Sequence, residues 1–346
     1  MFARLKAALF ESPDPMPWRD VAMMIIAMVV PAIVAVSILG RTGSIAFIAA
    51  MPACLAAQDA GIRISFLVTV VMGMAGLLAL GSPEMALLVA PFLGLMVGIC
   101  GTFGLAKPSI RGLFTWPIFT STIIGAENLP LIFGVFLLGM AWAQAVTWAF
   151  GKAAANPDED AESSPYAMVF GIALALGLTL SVWVGQRYFG EHGFWFPLTF
   201  VILVLPPHGQ LFSRTVKRTV GTVLGTAIAI GIAWAVDLTW VTVGLGGVAL
   251  VLGFRMLPFN YTVFTALLTI AVLEVLALVS EVDQLALERV GTMGAAAGMT
   301  IALGLAGYAI LRLFAPGAID ALMEGEDAPL QGQRRKDSRA SASRAG

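Results

Sequence analysis

The chain has 346 residues, of which 59% are hydrophobic and 12% charged, and its mean hydropathy is +0.90. Soluble domains carry about 25% charged residues, so this composition excludes a water-soluble fold and points to a polytopic membrane protein. The formal net charge of −1 says little about partners. The lipid bilayer is the first one implied, and no nucleic-acid partner is expected.

The opening stretch, MFARLKAALFESPDPMPWRD, has too short an apolar run for a cleavable signal. Residues 1–12 are predicted to form a short interfacial helix with Phe2, Leu5 and Leu9 on one side, inside a cytoplasmic segment 1–19. Six apolar segments follow, at 20–39, 44–57, 64–81, 85–105, 112–126 and 130–150. The polar stretch KAAANPDEDAESSP (152–165) reads as an acidic cytoplasmic linker. Six more apolar segments lie at 166–187, 194–207, 216–236, 238–254, 259–280 and 290–314. The tail, 315–346, is charged and rich in small residues, and is expected to be disordered and cytoplasmic. A helix needs about 20 apolar residues to cross a bilayer. The pieces at 44–57, 112–126 and 194–207 are shorter, so the range is ten to twelve crossings, with twelve preferred. Cys54 and Cys100 lie one to a segment. That is no disulfide or metal framework, and both read as small buried hydrophobes.

Charge sorting supports twelve crossings. With a cytoplasmic amino terminus, the far side receives Arg41, Arg187 and Arg289, and the other seventeen of the 20 Lys and Arg residues fall on the cytoplasmic side. This is the positive-inside pattern, and it puts both termini in the cytoplasm. The halves also match. Gly40 to Arg63 and Gly190 to Arg214 each begin G-x-x-G, carry proline (Pro52; Pro197, Pro206, Pro207) and end in a cation. Each next segment has close glycines, Gly73 and Gly76 against Gly221 and Gly225. The predicted fold is all-α: a transmembrane helical bundle of about twelve segments in two parallel six-segment repeats, 20–151 and 166–314. Short proline-broken segments at matching places point to a transport site in secondary transporters. Such a site would lie between the halves. The alternative is a tilted or re-entrant packing element.

Arg214, Lys217 and Arg218 are spaced to share one helix face, just after His208 in PPHGQ. Arginine can hold a carboxylate through two parallel hydrogen bonds, and lysine adds a point charge. These residues are therefore candidates for binding an organic anion. They also suit a topogenic cluster at a cytoplasmic helix end. Gly221 with Gly225, and Gly294 with Gly298, are G-x-x-x-G pairs suited to close helix packing. Each follows an arginine, Arg218 or Arg289, in a similar motif read from opposite sides of the membrane. Glu274 sits well inside its apolar segment. Intramembrane carboxyls are costly and functional by default, which makes Glu274 the candidate proton-coupling residue. The competing reading is a structural partner for Arg289 or a hydroxyl. Asp59 and Asp237 are weaker candidates. Gln144 and Asn260 could line a path or bridge helices. Trp142, Trp148, Trp195, Trp234 and Trp240 mostly suit interfacial belts, and a few could line a cavity for aromatic substrates; the sequence does not separate these roles. No G-x-S-x-G, H-E-x-x-H or phosphate loop occurs. His192 and His208 stand far from any cysteine or carboxylate at metal-ligand spacing. Neither enzymatic activity nor a metal or cofactor is expected.

The second half resembles the fusaric acid resistance protein family, which includes bacterial aromatic carboxylic acid exporters. The resemblance rests on Trp195-Phe-Pro-Leu-Thr199, then Arg218-x-x-Gly-Thr-x-x-Gly225, then Asn260-Tyr261 with a downstream threonine, then Arg289-x-Gly-Thr292. It covers most of 166–314. It implies a multi-pass inner-membrane exporter of small organic anions, driven by protons, with Asn260 and Tyr261 among the anion-site candidates. It also implies a periplasmic membrane-fusion subunit as partner, and a homo-oligomer is a further expected assembly. Two departures stand out. Many members carry a large soluble domain, where this chain offers a short linker and tail. The first half shares only the layout: RISFLVTVVMGMAG has the charge and glycines without Arg-x-x-Gly-Thr. Plant organic-anion channels share the layout distantly, which keeps a passive channel as the alternative, with a non-transporting subunit of an envelope complex as a third reading.

Overall fold

Proline and glycine punctuate the chain where the apolar runs end, and the helices follow that punctuation. The computed structural model describes residues 14–121, 128–157, 161–206, 210–236, 238–277 and 282–319. The predicted amino-terminal helix, Asp237 and the tail beyond 319 lie outside them. Among the described residues the fold is all helical. The first half holds α1 (Trp18–Leu39), α2 (Ile45–Ala79), α3 (Pro83–Gly101), α4 (Ala106–Leu113), α5 (Trp116–Phe119) and α6 (Leu129–Ala149). The second half holds α7 (Ser164–Tyr188), α8 (Trp195–Leu203), α9 (Leu211–Ala235), α10 (Thr239–Met256), α11 (Tyr261–Leu276) and α12 (Val282–Phe314).

Among the described residues six helical runs are long and apolar enough to cross a membrane. The first, Trp18–Ala79, has 62 residues, about 93 Å at 1.5 Å per residue. That is about three bilayer cores. The run is broken by a 3-10 turn at Gly40–Ser44 and by Gly61, whose φ is 84° and ψ 170°. α10 and α11 contribute shorter apolar helices, Trp240–Met256 and Tyr261–Leu276. Large apolar side chains face outward: Leu138 is 73% exposed and Phe92 70%. Leaving such groups in water forfeits roughly 1.5–3 kcal/mol each, whereas lipid accepts them. The chain is a multi-pass membrane protein.

The matched turns of the two halves share a geometry. Gly40 and Gly190 both take positive φ, 60° and 56°, which only glycine adopts without strain. Three residues on, Gly43 packs against the backbone at Ala35 and Gly193 against that at Gly185, eight residues back in each case. The segment after each turn is short and broken. α8 has 9 residues, about 13 Å, too short to cross alone. In each half the break frees a carbonyl that is then capped from elsewhere. Ala154 N–H donates to Ala57 O at 2.9 Å, and Arg214 Nη1 donates to Leu205 O. The halves join where α3 meets α7, with Gly94 against Ala175 and Gly98 against Gly171.

One end of the molecule gathers cations. Lys152 pairs with Asp20 at 2.8 Å, and Lys107 and Arg111 share Asp59 at 3.1 and 3.0 Å. Arg255 donates to Met16 O at 3.0 Å and lies 4.2 Å over the Trp18 ring. Asp59 is thus the shared partner of two cations.

Candidate functional site: a pair of buried arginines

The helix α9 carries Thr215, Arg218, Thr222 and Thr226 at spacings of three and four, so all four fall on one face. None is more than 4% exposed. On the flank of that face Gly221 and Gly225 admit α11. A Cβ at Gly221 would press on Thr262 O and Thr265, and one at Gly225 on Ala266 O and Thr269. The glycines therefore act as the packing pair the sequence suggests. The threonines opposite turn inward on their own helix: Thr265 donates to Tyr261 O at 2.9 Å and Thr269 to Thr265 O at 2.8 Å.

Arg218 is 2% exposed and donates from Nη1 to Tyr261 Oη at 3.1 Å. Arg289, on α12, is 6% exposed and donates to Thr199 Oγ1 on α8 at 3.4 Å. Its guanidinium lies 5.3 Å from the centre of the Trp195 ring. The helices run antiparallel, since Leu211 lies against Gly304 while Ala229 clusters with Leu285. The two arginines come within electrostatic reach of each other. Each leaves its Nε without a hydrogen-bond partner, as do the Thr222 and Thr226 hydroxyls. Among the described residues no carboxylate pairs with either arginine. Burying an unpaired charge is expensive. Two of them within electrostatic reach make a site that an anion would stabilise.

Other expectations land differently. The buried arginines lie within the second half, among α8, α9, α11 and α12, and not between the halves. Arg214 is half-buried and holds the Leu205 carbonyl, so it caps the broken end of α8. Lys217 is half-buried at the rim, and His208 lies outside the described residues. Asn260 is buried, and its side-chain oxygen accepts from Val263 N–H at 3.1 Å. That is a helix cap, and it aims Tyr261 at Arg218. Gln144 bridges α6 to α2 through Ser65 at 3.0 Å. Trp195 is 2% exposed and belongs to the site, not to an interfacial belt. Gly294 and Gly298 face open space, where a Cβ would meet nothing within 4 Å, so among the described residues they pack against no helix.

Glu274 is 2% exposed and its Oε1 has no partner. Gly246 of α10 lies against it, where an added Cβ would stand 3.1 Å from the glutamate Cβ. Among the described residues it pairs with neither Arg289 nor a hydroxyl. Sequence patterns held Thr222 and Trp195 inside motifs and Arg289 as a motif residue or a partner for Glu274, without joining them to Arg218, and missed Thr226; the repeated Arg-Gly-Thr signature was the signal that could have joined them. Among the described residues no group of three or more His, Cys, Asp or Glu could hold a metal.

These elements coincide with a family match. Residues 169–304 match the fusaric acid resistance protein-like family. The fusaric acid resistance-like region contains Arg218, Tyr261, Glu274 and Arg289. It ends inside α12 and excludes the first half. No curated protein and no solved structure matches the chain. The match and the apolar helices together describe a membrane transporter-like protein.

Proposed function

We propose that this protein is a proton-coupled transporter that exports small organic, often aromatic, carboxylic acids across a bacterial inner membrane. The observation that carries the reading is the Arg218–Arg289 pair, buried and, among the described residues, without a carboxylate. A substrate carboxylate would supply the missing charge and accept the unmade guanidinium hydrogen bonds. The reading includes about twelve crossings in two parallel repeats. The repeated glycine turns and the two capped breaks support it. Cytoplasmic termini are supported by the cations gathered at one end. Glu274 is the proton carrier in this reading, as a buried carboxyl whose Oε1 has no partner among the described residues.

Purified protein in liposomes with a pH dye inside tests this. Adding aromatic and aliphatic carboxylates should move protons in wild type and not in Glu274→Gln. Among the described residues Glu274 forms no ion pair with either arginine, and this favours a second reading, a passive organic-anion channel. Anion movement that continues unchanged in Glu274→Gln would select the channel. No movement with any acid would turn the reading toward a non-transporting subunit.

A further inference from the structure

His192 lies in the 3-10 turn Gly190–His192, between α7 and α8, and is 4% exposed. Its Nδ1 stands 2.7 Å from Glu288 Oε2 on α12. The other carboxylate oxygen accepts from Gln284 Nε2 at 2.9 Å, so Glu288 is held from two sides. Glu288 directly precedes Arg289. The His192 ring also lies 5.1 Å from the Trp195 ring, tilted by 31°, and Trp195 is the indole beside the Arg289 guanidinium. A titratable imidazole and a buried cation thus share one aromatic neighbour. Among the described residues, the other charges near the turn are Glu191 beside His192 and Arg187 at the end of α7, both exposed. Phe194 and Trp195 of the α8 side add none.

Histidine is the side chain whose charge changes between about pH 5 and 8. A neutral imidazole meets the Glu288 contact by donating Nδ1–H, which leaves Nε2 to take a proton. The pair then passes from one net negative charge to none.

We propose that the His192–Glu288 pair is a proton-binding site linked to anion binding at Arg289. The proposal rests on the reading that Arg218 and Arg289 receive an organic anion. Without the proton, the pair sets a negative charge one residue from Arg289, which opposes an incoming carboxylate. With the proton, the anion meets two unopposed guanidiniums. By linkage the anion raises proton affinity by the same factor. Binding in one state fixes how proton and anion act on each other there. The direction of net flux is set by how the states exchange.

Benzoate binding to the purified full-length protein, measured by calorimetry at about pH 5.5 and about pH 8, tests the proposal. A carboxylate of ordinary pKa, about 4, is ionised at both. Wild type should bind on the order of tenfold tighter at the lower pH, within the usual range of linked sites. His192→Gln keeps a donor for Glu288 and cannot titrate; it should bind weakly at both pH values. Glu288→Gln removes the opposing charge and should bind tightly at both. Damage to the fold would weaken both variants, so their opposite directions identify the charge effect. Benzoate added to unbuffered wild type should draw protons from the medium, and His192→Gln should not. Equal wild-type affinity at the two pH values, or an unchanged pH dependence in His192→Gln, overturns the inference and leaves the anion site standing. No benzoate binding to wild type at either pH overturns the arginine site and the inference with it.

Discussion

Arg218 and Arg289 stand seven residues past the starts of α9 and α12, about two turns in, and approach from opposite ends of antiparallel helices. Like charges repel, and burial strengthens the repulsion. The fold nevertheless keeps both inside, each anchored through one Nη1, to Tyr261 or Thr199. Fixed guanidiniums with bonds left to make are what recognition of a carboxylate requires.

The first prediction concerns Glu274. It lies against Gly246 of α10 and, among the described residues, forms no ion pair with either arginine. Glu274→Gln should therefore leave equilibrium benzoate binding within about twofold, while abolishing anion-dependent proton movement. A large loss of binding would place the carboxyl in the anion site instead.

Glycines that look alike in sequence should behave differently. Gly221 and Gly225 admit the α11 backbone, so valine at either forces the helices apart. Overpacking of this kind costs about 1–3 kcal/mol. Gly294→Ala fills open space and should be neutral, or stabilise by roughly 0.5–1 kcal/mol through helix propensity. Thermal unfolding in detergent reads both; a Gly294→Ala variant as damaged as Gly221→Val would contradict the open face of α12.

Much of this could be read in the sequence, because apolar length and glycine spacing are local signals. The G-x-x-G turns at Gly40 and Gly190 were legible, since a positive φ demands glycine wherever it occurs. Arg218 was legible as a cation at a helix face. Its burial was not, because spacing places a residue on a face without saying what covers it. Arg289 and Thr199 lie 90 residues apart, and His192 and Glu288 lie 96 apart. No periodicity reports contacts at that range. The capping role of Asn260 was not legible for a related reason: the sequence offered it as lining a path or bridging helices, and the structure shows its side-chain oxygen capping α11.

Asp59 should matter for stability. It is 8% exposed and holds both Lys107 and Arg111. Asp59→Asn leaves two part-buried cations without their carboxylate, at a cost of about 1–3 kcal/mol. The melting temperature in detergent should fall, and benzoate affinity should not. An unchanged melting temperature would contradict a stabilising role for the shared carboxylate.

Topology gives a fourth prediction. In a Cys54→Ser, Cys100→Ser background, cysteines placed at Lys152 or Arg255 should react with an impermeant thiol reagent from the cytoplasmic side. Those at Arg41 or Arg187 should react from the other side. Labelling of position 152 and position 41 from one side would refute the assigned orientation.

The central claim is that the buried arginines receive the transported anion. Benzoate uptake into liposomes, comparing Arg218→Gln, Arg289→Gln, the double variant and Lys217→Gln, tests it most directly. Each single arginine loss should lower uptake at least about tenfold. The double should be little worse than either, as for groups that act as a unit. Lys217→Gln, at the rim, should change uptake less than about twofold. Wild-type uptake that survives in the double variant would contradict the account and leave the basic cluster a marker of topology alone.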